Sequence, residues 1–275
     1  MTEFFDSNPA LQAAFQGGIA PFVVAVVVAL ALARTRFAWL AILAAYATQV
    51  ALSTGFSFTP LSASRKILLL SLAAPVIGIA AYALESRGRT IAYALAALAG
   101  LAAVWVFLGI LQQREGAAAW SIGIGIVAFA AALVAIVLSL RADAARASAA
   151  GVGLGLATGI IALMSASVGF MTAGISVAAG AGALLLVNAF RRAPPSPGFL
   201  GTLSIGLMIA LFAEGTLMLA KLPWYALAAL LLVPLAVRLP VRDDMAPVAR
   251  AAILFAYAML AALVPIAAVW IAPGS

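Results

Sequence analysis

What most restricts this chain is the way its few charged residues divide it. Cutting at Asp, Glu, Lys and Arg leaves ten apolar segments, at approximately 10–33, 37–54, 66–84, 91–111, 118–140, 147–165, 170–190, 199–220, 223–238 and 249–271. A helix needs about 20 apolar residues, within a range of roughly 17–25, to cross a hydrocarbon core about 30 Å thick. The apolar fraction is 67% and the charged fraction 8%, against roughly 45–50% and about 25% in a soluble domain. No water-soluble fold of 275 residues has an interior large enough to hide that much apolar surface. In a bilayer the surface needs no hiding, because lipid is the solvent and a helix satisfies its own backbone. Ten spans of about 20 residues consume roughly 200, which leaves short connections. The expected fold is therefore all-α, a polytopic transmembrane helix bundle of about ten spans with no soluble domain. It forms a single integral membrane domain over residues 1–275, with the lipid bilayer as its first partner.

Two boundaries need separate argument. No charge lies between the sixth and seventh segments, and their joint length is twice that of one span. The polar, glycine-bearing stretch Ser165–Gly169 is the expected break. The ninth segment is short and completes a span only with little tilt or with Arg238 snorkelling to the interface. At the other end, Met1 to Asn8 carries Glu3 and Asp6 but no basic residue, unlike the basic start of a cleaved signal peptide. The first segment is therefore read as a retained span, with Ser7-Asn8-Pro9 as its helix start.

Orientation follows from the preference of basic residues for cytoplasmic loops. With the N-terminus outside, inner connections hold Arg34, Arg36, Arg87, Arg89, Arg141, Arg146, Arg191, Arg192, Arg238, Arg242 and Arg250. Outer connections hold Arg65, Lys66, Arg114 and Lys221. The bias of eleven to four persists along the whole chain. A missed or invented span would invert it from that point onward. The expectation is ten spans with both termini outside, in a bacterial inner membrane; the preference for Arg over Lys and the excess of Ala suggest a GC-rich bacterial genome. Trp39 is expected at the inner boundary, and Trp120, Trp224 and Trp270 at the outer one, as an aromatic belt. Trp105 falls deeper and does not fit. Cutting at residues 141–146 leaves five-span halves, 1–141 and 147–275, which an odd count would make inverted repeats. No residue-level match joins them.

The residues that are missing narrow the chemistry more than those present. The chain has no Cys and no His, which excludes disulfides, haem ligation by His or Cys, and His-based zinc sites. Ser–His and His-Glu-x-x-His proteases and His-dependent acyltransferases need the same missing residue. The four aspartates lie in loops or at the N-terminus, so a two-aspartate intramembrane protease is excluded too. Asp243-Asp244 reads as a helix start before Pro247. Both lysines sit at segment boundaries, where neither serves as a buried Schiff-base lysine. No catalytic residue, metal or cofactor is expected, and a membrane enzyme ranks third among the readings because the catalytic inventory is so thin. Its net charge of +7 is a product of topology, so nucleic acid is not an expected partner.

Glu214 is the one carboxylate well inside an apolar segment. A charged group there costs roughly 2.5–3.5 kcal/mol on insertion scales and marks a functional position by default. Two readings stand: it binds a cation or carries a proton, or it pairs with Lys221 or Arg65 near the outer interface. Gly17-Gly18 before Pro21, with Gln12 and Gln16 preceding, is the most break-like of the proline interruptions, the others being Pro75, Pro234 and Pro265. Broken helices line many transporter sites. Thr158, Ser165, Ser167, Thr172 and Ser176 surround the expected turn; they either line a path or bond their own helix backbones. The path candidates are Glu214, Thr216, Gln16, Pro21 and Thr158. Gly151, Gly155 and Gly159 form a small-residue stripe for helix packing; Gly153 in the same run makes no dinucleotide motif, which needs a soluble βαβ unit. Arg65-Lys66 is read as an interface anchor. The preferred function is a secondary transporter or permease of a small-molecule or ion substrate. The alternative is a non-transporting membrane subunit that scaffolds or assists a larger complex. A second copy of the chain or a membrane complex is the expected protein partner.

Overall fold

The computed structural model describes residues 9–82, 88–191, 194–220, 222–242 and 244–271. Glu3, Asp6, the Ser7-Asn8 start, Arg87, Arg192, Lys221 and Asp243 lie outside them. Among the described residues there is no strand, and nine helices are long and apolar enough to cross a membrane. In chain order the long helices are α1 (Leu11–Ala31), α2 (Arg36–Ser53), α3 (Ala63–Tyr82), α4 (Gly88–Leu111), α5 (Gly116–Leu138), α6 (Ala144–Met164), α7 (Val168–Ala189), α8 (Gly198–Ala220) and α10 (Pro247–Ile271). Between the last two stands α9 (Trp224–Ala236), a shorter apolar helix. The protein is an all-helical, multi-pass membrane bundle.

Helix α9, at the expected ninth segment, is shorter than a full span. Pro234 has no N–H for the Leu230 carbonyl, and the helix is two pieces, Trp224–Leu230 and Leu232–Ala236, joined at Leu231. Its residues rise only about 20 Å, short of the hydrocarbon thickness. It nevertheless carries the chain between the two faces of the bundle. Helix α8 begins where the Gly198 N–H donates to the Arg141 carbonyl at 3.0 Å, and it ends a full helix length away. After α9 the chain is back at that starting face. There the Val237 and Leu239 carbonyls accept from Arg146, and Arg238 donates to the Ile136 carbonyl and the Ser139 hydroxyl. The face holding Arg141, Arg146, Arg191, Arg238 and Arg250 is called the arginine-rich face below.

Helices α6, α7 and α8 form the centre, with 78%, 72% and 78% of their apolar windows buried, against 22% for α1 and α10 at the periphery. Glycine makes the closest approaches. A Cβ on Gly155 would lie 2.6 Å from the Ala178 nitrogen, and one on Gly174 would lie 2.7 Å from the Gly159 nitrogen. One on Gly151 would lie 2.7 Å from the Ala181 Cβ. The α6 stripe thus meets the backbone of α7 directly, the close packing that holds helices together in lipid. Trp39 is not a belt residue. It is fully buried against Gly201 of α8, and its indole N–H donates to the Pro195 carbonyl at 3.2 Å. Trp120, Trp224 and Trp270 are exposed, and Trp105 carries Lys66 over its ring at 4.6 Å.

In α1, Phe15–Ile19 widens into a π turn whose Ala20 N–H bonds back to the Phe15 carbonyl. This accommodates Pro21, which cannot donate to the carbonyl of Gly17. The break between α6 and α7 falls at Ser165–Ser167, within the expected stretch. The Ala166 N–H bonds to the Leu163 carbonyl and the Ser167 N–H to the Ala162 carbonyl, the two bonds of a Schellman motif. Its left-handed position is held by Ala166, at φ 57°. Gly169, the glycine that marked the stretch in the sequence, lies inside α7. A left-handed backbone is costly for any residue with a Cβ. Ala166→Gly is therefore expected to raise stability by about 0.5–1 kcal/mol, and Ala166→Val to lower it, measured by thermal unfolding in detergent.

Candidate functional site

Helix α8 is buried at every position from Phe199 to Thr216, so no side chain of that stretch meets lipid. Glu214 stands in it fully buried, and neither carboxylate oxygen has a hydrogen-bond partner among the described residues. Ile205 meets Gly151 of α6 and Leu200 meets Gly78 of α3. At 100° per residue, Glu214 lies opposite Ile205 and close to the stripe of Leu200. It therefore occupies the α3 side of α8, away from α6. Arg65 does not pair with it; its guanidinium donates to the Pro60 carbonyl at 2.7 Å.

The five path candidates do not converge. The Thr216 hydroxyl donates to the Phe212 carbonyl of its own helix at 2.9 Å. Thr158 is fully buried and its hydroxyl has no partner among the described residues, but it lies near the stripe of Gly151, on the opposite side of α8 from Glu214. The Gln16 side chain donates to the Leu52 carbonyl at 2.9 Å. Pro21 is buried in α1, which packs on α2 and α7. Ser165, Thr172 and Ser176 bond carbonyls of their own helices.

A cavity of about 530 Å³ opens on the face opposite the arginines, between the ends of α2, α3, α7 and α8. Its wall is more apolar than polar, with Gln49, Thr54, Ser57, Ser62, Ser64 and Arg65 contributing the polar groups. Phe170 and Phe212 also line it, whereas Glu214 is not among its lining residues. Phe212 stands two residues before it on α8 and packs on Tyr46 with centroids 5.4 Å apart. Phe170 of α7 is seated on Gly215, where any Cβ would collide with its ring. The buried carboxyl shares the end of α8 at this vestibule with these aromatic residues, but at 100° per residue it points away from Phe212. Gln49 escaped the reading of the sequence, although a glutamine inside the second apolar segment was a visible signal. Its amide donates to Ser53 and Thr172 at 2.9 and 3.0 Å, joining α2 to α7 beside the cavity.

The arginine-rich face has its own polar cluster. Asp143 caps α6, one oxygen accepting from the Ala145 and Arg146 N–H groups at 3.1 Å. The other accepts from Arg146 Nε at 3.2 Å and from Arg250 at 2.6 Å. Among the described residues no group of three carboxylates comes together to hold a metal ion. A lone carboxyl such as Glu214 can take a proton, or share a monovalent cation with neighbouring carbonyls. No protein-family model matches the chain, and no curated protein matches it in sequence.

Among the described residues Glu214 has no partner whose loss would strand an opposite charge. Replacing it with an apolar residue of similar size removes two unsatisfied oxygens. Glu214→Leu is therefore expected to raise stability by about 1–3 kcal/mol, seen as a higher melting temperature in detergent. A loss of about 3–5 kcal/mol would instead identify a buried ion pair.

Proposed function

We propose that the protein is a secondary transporter or permease of a small solute, with the vestibule as its entry and Glu214 as the group that carries a proton or cation. The observation behind this reading is a fully buried carboxyl with no hydrogen-bond partner among the described residues, in the half of α8 that ends at that vestibule. A packing role would favour an apolar residue there, since an unpaired acid in a membrane helix is expensive. The alternative is a non-transporting subunit of a larger membrane complex. It draws on the backbone contacts between α6 and α7, which leave that seam no room for a path. We place the protein in a bacterial inner membrane with the arginine-rich face inside and both termini outside, on the asymmetry of its basic residues.

Two experiments test the reading. Dicyclohexylcarbodiimide modifies protonated carboxyls in apolar surroundings. The wild type should label at Glu214, with labelling falling as pH rises; an unreactive Glu214 at every pH argues against a proton carrier. In proteoliposomes, Glu214→Gln should abolish proton- or cation-coupled uptake of whichever solute a library screen identifies, and unchanged coupling would remove the residue from the mechanism. Orientation is open to direct labelling, because the chain has no cysteine. Ser62→Cys, on the vestibule, should react with an impermeant thiol reagent in intact cells, and Ala142→Cys on the arginine-rich face should not.

A further inference from the structure

A second cavity, of about 450 Å³, lies at the arginine-rich face between the start of α6, the end of α7 and the start of α10. Asn188, Arg191, Arg250 and Asp143 are among its lining residues. Asn188 is 5% exposed, yet its amide nitrogen has no partner among the described residues. Arg250 gives one terminal nitrogen to Asp143, while its Nε is buried and also unpartnered. Arg191 donates to the Ala33 carbonyl with one nitrogen, which leaves the rest of its guanidinium fork. Asp143, the one acid among its described lining residues, already accepts four N–H groups from Ala145, Arg146 and Arg250. Setting Arg146, Arg191 and Arg250 against Asp143 leaves a charge of +2, three positive less one negative, in this cluster.

The cavity therefore offers unpartnered donors, and the only carboxylate among its described lining residues is occupied. Buried donors without partners carry a desolvation penalty that an acceptor ligand would relieve. Guanidinium groups match the paired oxygens of a phosphate. The cavity also sits at the depth of lipid headgroups, since Arg191 follows the end of α7 and Arg250 opens α10. Basic pockets between membrane helices suit such headgroups. We infer that this cavity is a binding site for a phosphate group, held by Arg191, Arg250 and the Asn188 amide. The phosphate is either that of an anionic phospholipid or a free ion. The inference does not rest on the role of Glu214, which lies toward the other face.

The test uses full-length protein, delipidated in neutral detergent, with phosphatidylglycerol, phosphatidylcholine and inorganic phosphate as separate probes. Native mass spectrometry reads retention and thermal unfolding reads stabilisation. Saturable retention of phosphatidylglycerol over phosphatidylcholine assigns the site to a headgroup; saturable stabilisation by inorganic phosphate assigns it to a free anion. In either case Asn188→Asp should weaken binding at least about tenfold, or about 1.4 kcal/mol, by setting a charge against the ligand. Asn188→Leu breaks no side-chain hydrogen bond among the described residues and should weaken binding while leaving the ligand-free melting temperature at or above that of wild type. Equal retention of the two lipids with no response to phosphate overturns the proposal. So does undiminished binding in the Asn188 variants.

Discussion

The structure depends on the backbone-to-backbone contact between α6 and α7. In lipid no hydrophobic force drives one apolar helix against another, so close packing has to supply the attraction. Gly155 and Gly159 of α6 and Gly174 of α7 supply it, each at a point where a methyl group would fall within 3.0 Å of the partner's backbone. With these two helices drawn together, α8 lies in a continuous sheath. Gly151 accepts the Ile205 side chain, Gly78 of α3 rests on the backbone of Leu200, and Gly206 lies against Val134 of α5. Glycine thus sets the spacing of the central helices, while the larger apolar side chains of the outer helices face the surroundings.

That enclosure gives Glu214 its meaning. An acid near the rim of an outer helix can reach water by bending its side chain. One on a helix buried on every side cannot. The same enclosure separates the polar groups into two districts. On one face stand Gln49, Thr172 and the hydroxyls of the vestibule; on the other, Asp143, Asn188 and the arginines. The buried carboxyl lies nearer the first, about six residues from the end of α8, or roughly 9 Å along the axis.

The spans were legible because charge is so expensive in lipid that it marks every connection. The helix limits in the structure fall close to the segments bounded by Arg34, Arg36, Arg89, Arg114, Arg141 and Arg146. The departures share a cause, which is that one sequence does not say which helices are neighbours. Trp39 reads as a belt residue until Gly201 and the Pro195 carbonyl are placed beside it. Thr158 and Glu214 both read as path residues, yet they lie on opposite sides of one helix. The turn at Ala166 was found by length and polarity, but its left-handed residue carries no glycine to announce it. Pro234 warned of an interruption, whereas the return of α9 to the arginine-rich face shows only in the contacts of Val237, Arg238 and Leu239.

The cluster around Asp143 also bears on assembly during synthesis. Asp143 and Arg146 emerge early, but their partners Val237, Leu239 and Arg250 follow 91 to 107 residues later. Until the last two helices enter the membrane, α6 presents a charged end with no lateral ligands. Asp143 thus gains its one bond to α10, from Arg250, only after the last helix has been made.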